Sequence, residues 1–413
     1  MFTNQLFEMA LHITEPYYIA DLSFDPKERK LDIEIDFRKG AKFTIIGDQG
    51  EKVQGTAYDT IKKTWRHLNF FEHECYLHAR VPRVKYDGGI KQVKMPWEGL
   101  ANGFTLLLEA IIVMMAMSMP VRKISMLMKV SEKKMWRILD KYVREGLGIE
   151  DYSEVKVIGI DETSQAKRHN YITLFVDLLR KKTLFIADGK DADTIDEFIS
   201  MLCKQKGKPE KIEEVSCDMS PAFIKGVNEH LPNAKITFDR FHCMKIINEA
   251  VDAVRKEERK NDPNLKGLRY VFLKNENHLT KKQRSLLETL KLSDCGKKTL
   301  KAYHLKELYR LGYESQTEEA FEEYLKKWYY SATHSQLEPI IKAAKTIKEH
   351  WDGVVRWRKS QISNAILEGF NSLIQAAKAR ARGYATSKNF KIIAFLLTGK
   401  LNFNQLNPHW LPT

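Results

Sequence analysis

The stretch from Val155 to Asp188 reads VKVIGIDETSQAKRHNYITLFVDLLRKKTLFIAD and contains three short apolar runs rich in β-branched and aromatic residues. Polar, turn-forming residues separate the runs, so the pattern predicts three consecutive strands joined by short connections. Farther along the chain, helical patterns alternate with two more strand-like runs, EEVSCD at 213–218 and AKITFD at 234–239. A long helical pattern follows from about Arg240 to Lys260.

The predicted order β-β-β-α-β-α-β-α favours an α/β fold, a mixed sheet with helices on its faces. This is the order of the ribonuclease H-like fold, although other mixed α/β folds share it. In that arrangement the first and fourth strands are neighbours.

The chain has 413 residues, which is too many for one ordinary hydrophobic core. Alternating stretches broken by glycines predict a small β-rich head before the helices begin, and almost no strand signal follows Asn261. The expected segments are a β-rich head at 1–98, a helix-turn-helix region at 99–150, a ribonuclease H-like core at 151–260, an all-α insertion at 261–359, and the last helix with the C-terminal end of the core at 360–413.

Basic residues exceed acidic ones by 14, and residues 241–413 carry 31 basic against 18 acidic side chains. A field of this sign attracts polyanions such as nucleic acid or anionic lipid. A second basic segment, 80–144, includes the second helix of the helix-turn-helix, where Lys133, Lys134 and Arg137 are candidate DNA contacts. A basic helix of this kind is as often simply a solvated surface.

Several classes of protein are disfavoured by the sequence. The most apolar run, Phe104 to Met119, is shorter than the roughly 20 residues of a membrane helix and contains Glu109, so we expect a buried helix and no membrane association. The five cysteines are scattered and form no paired motif, which indicates neither disulfides nor a zinc ribbon. We expect no export, and a cytoplasmic, nucleoid-associated location.

Two acidic residues stand at the ends of predicted strands. Asp161 follows the first strand and Asp218 ends the fourth. Because these strands are expected to be neighbours, the two carboxylates could share one site. Each alone is more often a turn or helix-capping residue.

A third carboxylate, Glu368, lies on the last helix. It belongs to a polar stripe with Asn364, Asn371, Gln375 and Lys378, opposite an apolar stripe that includes Leu373 and Ile374. The segment 356–391 has eight basic residues and only this acidic one, so Lys378, Arg380 and Arg382 are candidate DNA contacts. The alternative is that Glu368 forms only surface ion pairs.

Three carboxylates from separate elements form the hard oxygen-ligand set that Mg²⁺ favours, with Mn²⁺ as an alternative. Two such ions can promote phosphodiester cleavage and joining. Nearby, Arg240 and His242 lie where the fifth strand runs into its helix. They are candidate DNA contacts, although His242 is more often structural in such a position.

Three long motifs resemble bacterial insertion-sequence transposases of the DDE class, specifically the ISL3 group. They are VIGIDE at 157–162, VSCDMSPAFIKGVNEHLPNAKITFDRFHCMKIINEAVDAVR at 215–255, and SNAILEGFNSLIQAAKARARGY at 363–384. The resemblance implies a ribonuclease H-like catalytic domain with an all-α insertion, and a catalytic, metal-binding triad of Asp161, Asp218 and Glu368. The family's head typically carries a Cys-rich zinc ribbon, whereas this head has the single cysteine Cys75, so we expect no zinc.

The resemblance implies an enzyme that binds double-stranded DNA at the inverted repeats of its element and at the target, acting as a homodimer or higher oligomer. It would catalyse Mg²⁺-dependent strand cleavage and strand transfer. Two alternatives stay open from the sequence: a catalytically silent DNA-binding protein descended from a transposase, and a structure-specific nuclease of the same fold.

Overall fold

The computed structural model describes residues 2–166, 170–293, 296–360 and 365–410. The chain divides into two compact units, of which the first combines Met1–Glu150 with Ala376–Thr413 and the second is Asp151–Gln375. Each unit has its own core.

The first unit begins with a β-rich head, as the sequence predicted. A short helix, α1 at Phe2–Ala10, precedes a sheet with the order β1-β2-β6-β5, in which β7 pairs with β6, and a separate β3-β4 ribbon. The strands are β1 (Tyr17–Asp25), β2 (Lys30–Phe37), β3 (Lys42–Ile46), β4 (Lys52–Thr56), β5 (Asp59–Phe70), β6 (His73–Tyr86) and β7 (Gly89–Gln92).

The core of the head is apolar, with Phe43, Ile45, Trp65 and Leu77 all buried. Leu68, on the same strand as Trp65, is only half-buried. The reason is local, because the pairing of β5 with β6 becomes irregular after His67 and the alternation of faces is lost there.

Three helices follow the head: α2 (Leu106–Ser118), α3 (Val121–Met128) and α4 (Glu132–Gly148). Lys129 turns the chain between α3 and α4 with a φ of 52°, and the two helices bury Ile124 and Ile138. Ser131 occupies the N-cap position of α4, but its side chain makes no capping hydrogen bond. Two helices joined by a tight turn thus lie within the region 99–150, and its role as a DNA-binding helix-turn-helix stays a prediction.

The second unit contains a five-stranded mixed sheet with the order β10-β9-β8-β11-β12. The first and fourth strands along this part of the chain, β8 and β11, are parallel neighbours, as the sequence predicted, and β9 runs antiparallel to both β8 and β10. The elements are β8 (Val157–Ala166), β9 (Asn170–Asp177), β10 (Lys182–Asp188), α5 (Asp193–Lys204), β11 (Glu214–Cys217), α6 (Pro221–His230), β12 (Lys235–Phe238) and α7 (Arg240–Glu258).

The described part of 261–360 contains helices and no strands. These helices share one continuous hydrophobic core with the sheet. They are α8 (Arg269–Leu273), α9 (Lys281–Leu292), α10 (Lys297–Gly312), α11 (Glu318–Thr333), α12 (Glu338–Glu349) and α13 (Trp351–Ser360).

A fully buried lysine fastens two of these helices together. Lys306 on α10 donates from Nζ to the carbonyls of Phe272, at 2.9 Å, and Lys274, at 2.7 Å, at the C-terminal end of α8. The same Nζ lies 2.9 Å from Glu307 Oε1. Burial lowers the pKa of Lys306, and the pairing with Glu307 opposes that shift.

The last two helices are α14 (Ala365–Ala381) and α15 (Ser387–Thr398). The chain leaves α14 at Arg382, whose φ is 58°, and the N–H of Gly383 donates to the Lys378 carbonyl at 2.9 Å. This is the bond of a Schellman motif with Arg382 as the left-handed residue. Residues 361–364, which precede the helix, lie outside the described residues.

Residues 376–413 group with the first unit, whereas the sequence placed 360–413 with the core. Asn407 explains the difference, because its Nδ2 donates to the Leu106 carbonyl at 2.7 Å and to the Tyr142 hydroxyl at 2.6 Å. That hydroxyl in turn donates to the buried Glu109 carboxylate at 3.1 Å. The C-terminal segment therefore packs with α2 and α4 in the first unit.

In the part of the chain that the structure describes, no helix combines the length and apolar character needed to cross a bilayer. The apolar run singled out in the sequence forms α2, which has 13 residues and buries Leu108, Ile112 and Val113.

Candidate active site

Asp161 lies inside β8, where it pairs with Leu174 of β9, so the prediction that the strand ends before Asp161 is wrong, whereas Asp218 directly follows β11 as predicted. In the parallel pair β8 and β11, Ser216 lies opposite Gly159, and the same register continued by two residues brings Asp218 beside Asp161. The residue before each acid, Ile160 or Cys217, is fully buried. Alternation along a strand then directs the two carboxylates away from that buried layer.

The carboxylate of Asp161 is half-buried and partnered on both oxygens. Oδ1 accepts from the Glu162 N–H at 2.8 Å, and Oδ2 accepts from Asn371 Nδ2 at 2.7 Å. Burial raises the pKa of Asp161, the charge of Asp218 raises it further, and His242 opposes the rise. The charge of Asp218 is therefore close enough to influence the ionisation of Asp161.

Helix α14 is fastened to β8 by its polar stripe. Gln375 Nε2 donates to Thr163 Oγ1 and to the Ser164 carbonyl, both at 2.8 Å. Close approach is possible because a Cβ at Gly159 would lie 2.7 Å from Leu367 Cδ1. Asn371 supplies a third polar contact through Asp161.

The packing of α14 on the sheet differs from that of a simple amphipathic helix. Leu373, from the predicted apolar stripe, is 51% exposed, whereas Ile374 is buried. Asn371 and Gln375 of the polar stripe face the sheet because β8 presents oxygen atoms there that accept their hydrogen bonds. Asn364, the first member of that stripe, lies outside the described residues.

Glu368 lies on the first turn of α14, one helical turn before Asn371, and its side chain is exposed. It lines a cavity of about 790 Å³ together with Asp239 and Arg240 at the start of α7. Within the described residues, no three His, Cys, Asp or Glu side chains are already gathered as a metal-binding group. The structure thus brings Asp161 and Asp218 together and places Glu368 on the helix that contacts Asp161.

Glu162 is an acidic neighbour that sequence reasoning passed over. Burial raises its pKa, Lys190 opposes that rise, and the charges of Asp218, Asp161 and Asp191 add to it. The adjacent pair of acids in VIGIDE was the available signal, but only the first was assigned a role.

Arg240 and His242 occupy the first turn of α7. Asp239 caps this helix by accepting from the Phe241 N–H at 3.2 Å. The Arg240 guanidinium lies 4.9 Å from the centre of the Tyr313 ring. His242 is half-buried, and its Nδ1 is buried without a hydrogen-bond partner in the described structure.

The residues around Asp161 suit a hard divalent cation. Two adjacent carboxylates supply anionic oxygens, and the Oδ1 of Asn371 is buried with no hydrogen-bond partner among the described residues. A buried amide oxygen that accepts no hydrogen bond and lies next to a carboxylate is available to coordinate a cation.

The predicted DNA contacts on α4 are exposed, namely Lys133, Lys134 and Arg137. Arg137 has an additional structural role, because its Nη2 donates to the Asn102 carbonyl at 2.8 Å. Lys133 and Lys134 therefore present the simpler cationic surface at the start of this helix.

The three cations at the end of α14 belong to the first unit. Lys378 is half-buried and burial lowers its pKa. Arg380 donates from Nη1 to the Ser118 carbonyl at 2.7 Å, and Arg382 is exposed just beyond the helix. Arg380 is thus partly structural, whereas Arg382 is open to solvent.

Comparison with known proteins gives this geometry its context. The transposase family model of the ISL3 group, with its DDE domain, matches residues 158–394. The chain is 26% identical over 377 residues to the transposase for insertion sequence element IS1001 of Bordetella parapertussis, covering 88% of this chain and 91% of that protein. It is 23% identical over 425 residues to the transposase for insertion sequence element IS1557 of Mycobacterium tuberculosis, covering 95% of each chain.

The family match spans more than half of the chain, including β8, β11 and α14 with their acids. The recognition made from the three sequence motifs is confirmed. This chain belongs to the ISL3 family of DDE transposases, DNA-binding polynucleotidyl transferases that generally use a divalent metal and act in DNA transposition.

Proposed function

We propose that this transposase binds the terminal inverted repeats of its own insertion sequence and catalyses Mg²⁺-dependent strand cleavage and strand transfer. The observation that carries the proposal is the adjacency of Asp161, within β8, and Asp218, directly after β11, with α14 attached to Asp161 through Asn371. Strands β8, β11 and β12 are parallel, and β9 runs antiparallel to its neighbours β8 and β10. This strand order supports a ribonuclease H-like core.

In this proposal Asp161, Asp218 and Glu368 hold the metal. Bound Mg²⁺ or Mn²⁺ would activate a water or 3′-hydroxyl and stabilise the leaving oxygen of the phosphodiester. Asn371 fixes the orientation of the Asp161 carboxylate by donating to Oδ2. Glu368, exposed on the first turn of α14 one helical turn before Asn371, would supply the third carboxylate.

The double-stranded DNA of the element ends is proposed to lie across the start of α4. One groove there, of about 360 Å³, is lined by Lys129, Lys134 and Arg137. A second, of about 520 Å³, is lined by Lys133 and by Lys388 of α15. Cations on both sides of one helix end suit a phosphate backbone that crosses it. We propose further contacts from Arg240, His242, Lys378, Arg380 and Arg382.

Two element ends and one target must be handled together, so we propose that the enzyme works as a homodimer or higher oligomer. A cytoplasmic, nucleoid-associated location would give it access to its substrate.

The decisive experiment incubates the protein with labelled inverted-repeat DNA from the flanks of the reading frame, Mg²⁺ and target DNA. Joined products support the proposal. Cleavage without joining would instead indicate a structure-specific nuclease, and binding alone would indicate a catalytically silent descendant.

DNA binding should be steeply salt-dependent, because neutralising phosphates releases condensed counterions. Replacing Lys133 and Lys134 together by alanine should flatten the plot of log affinity against log salt by about 0.9 for each phosphate that is no longer neutralised. Fluorescence anisotropy at several salt concentrations measures the slope.

Arg137→Ala is measured separately, because its bond to Asn102 also stabilises the fold. A matched control is Lys326→Ala, an exposed lysine on α11 in the insertion. An unchanged slope in the Lys133/Lys134 variant would mean that the start of α4 does not face DNA.

The head is expected to hold no zinc. His78 contacts Asp32 at 2.6 Å, His67 contacts Thr105 at 2.9 Å, and burial raises the pKa of Cys75 to about 12, which disfavours the thiolate that zinc requires. Elemental analysis of protein purified without chelator should find less than a stoichiometric amount of zinc. One tightly held zinc per chain, or a melting temperature that falls in strong chelator, would contradict the prediction.

A further inference from the structure

The cavity that Glu368 lines has a larger volume than a bound metal ion would need. Its volume of about 790 Å³ falls within the roughly 300–1,000 Å³ of pockets that hold small organic ligands. Its walls come from α7, α8, α10, α13 and α14, all within the second unit.

One wall presents an aromatic ring to solvent. Phe241 is 58% exposed, although phenylalanine is usually buried. Its ring meets that of His242 edge to face, with centroids 5.9 Å apart, and His242 is the residue whose charge opposes the raised pKa of Asp161. The exposed ring therefore lines the cavity and contacts a histidine whose charge reaches Asp161.

The other walls contain two polar atoms without partners. Trp357 Nε1, a donor, and Asn248 Oδ1, an acceptor, are both buried and unpaired among the described residues, and both side chains line the cavity. Trp357 is held in place by Tyr313, whose ring lies 4.9 Å from it at 84°. Both atoms are therefore available to a ligand that accepts a hydrogen bond from Trp357 and donates one to Asn248.

Cationic side chains also lie at the cavity wall. Arg240 packs on Tyr313 at the same wall, and the exposed Lys245 also lines the cavity. Asp252, the most buried acid there, is neutralised by Arg255 at 2.7 Å and Arg269 at 3.3 Å. An exposed ring, a donor and an acceptor in the wall, and nearby cations match the base and phosphate of one nucleotide.

We propose that this cavity takes one unpaired nucleotide of the DNA substrate, next to the phosphodiester that is cut. Phe241 stacks on the base, while Trp357 Nε1 and Asn248 Oδ1 hydrogen-bond to its edge. Only an unpaired base offers its face to a side chain, because the bases of an intact duplex stack on each other. The proposal rests on the proposed function, since it assumes that the element ends are the substrate.

The first test scans 2-aminopurine through the nucleotides on each side of the cleavage position in inverted-repeat DNA. The DNA is bound by Asp161→Asn protein so that no strand is cut. One position should show a several-fold rise in fluorescence on binding, because the base leaves the stack. Adding Phe241→Ala should abolish the rise, whereas Phe241→Tyr, which keeps the aromatic face, should retain it.

The second test measures cleavage in the otherwise wild-type protein. Phe241→Ala should slow cleavage of fully paired ends about tenfold, the loss expected for one base–aromatic stack. Ends with a mismatch at the position found in the scan should recover most of that loss, because the base is already unpaired. Tyr330→Ala, which removes an exposed aromatic from α11 outside the cavity lining, serves as the control.

The outcomes separate the two proposals. If the wild-type protein does not cut the ends, the proposed function fails. If it cuts them but no position brightens and Phe241→Ala cuts at the wild-type rate, the nucleotide site is wrong and the transposase function stands. A free deoxynucleoside monophosphate that raises the melting temperature without DNA, and less so in Phe241→Ala, would overturn the assignment to DNA.

Discussion

Replacing Asp161 or Asp218 by asparagine, or Glu368 by glutamine, should each abolish strand cleavage at the element ends. We expect a loss of roughly three orders of magnitude or more from each single change, because residues that act as one site lose most of their effect when any member is removed. Single-turnover cleavage of labelled ends in Mg²⁺ measures the rate.

The physical reason differs between the three positions. Asp161 and Asp218 are adjacent, and burial and the neighbouring charge already disfavour ionised Asp161. A divalent cation would relieve that repulsion. An asparagine at either position removes one negative charge and one anionic ligand, so the cation would bind less tightly. Glu368 is exposed, so its replacement should leave the fold intact and affect metal-dependent steps alone.

Affinity for the ends should change little in all three variants, because the substitutions remove metal ligands and leave the cations that contact phosphates. Anisotropy measured without divalent metal tests this separately from cleavage. Glu323→Gln, an exposed glutamate on α11 in an ion pair with Lys327, is the matched control and should cut normally. Cleavage near the wild-type rate in any one of the three variants would remove that residue from the triad.

The sequence was enough to predict the sheet and the pairing of the two aspartates. Apolar runs of β-branched residues identify β8 and β11, and the ribonuclease H-like order made them neighbours, although β8 continues past Asp161 to Ala166 where the pattern predicted its end. The seating of α14 was not predictable in this way. Its polar stripe faces the sheet because Asn371 and Gln375 find oxygen partners on β8 more than 200 residues away.

The C-terminal segment shows the same limit. Asn407 bonds to the Leu106 carbonyl across 301 residues of sequence, and this hydrogen bond contributes to placing the segment with the helix-turn-helix. No periodicity indicates such a bond, because one amide side chain makes it. Trp357 Nε1 and Asn248 Oδ1 likewise cannot be identified from the sequence, because the cavity they line forms only where five helices pack together.

The buried lysine of the insertion should carry a large share of the stability of its unit. Lys306→Met keeps the aliphatic volume but leaves the carbonyls of Phe272 and Lys274 without their donor. It also removes the cation beside Glu307, which then depends on Arg310 at 2.8 Å. Removing one partner of a buried charged network typically costs about 3 kcal/mol or more, so we expect a loss of that size in the free energy of unfolding.

Urea unfolding of the full chain, followed by tryptophan fluorescence, measures the loss, since Trp328 and Trp351 lie in the same helical insertion. Lys298→Ala, an exposed lysine on the same α10, is the control and should stay within about 0.5 kcal/mol of the wild type.

The carbonyls held by Lys306 end α8, which carries Arg269 and Leu273 into the cavity wall. Lys306→Met should therefore also weaken the 2-aminopurine signal at the proposed nucleotide site, and a variant as stable as the wild type would show that α8 is held by apolar packing alone.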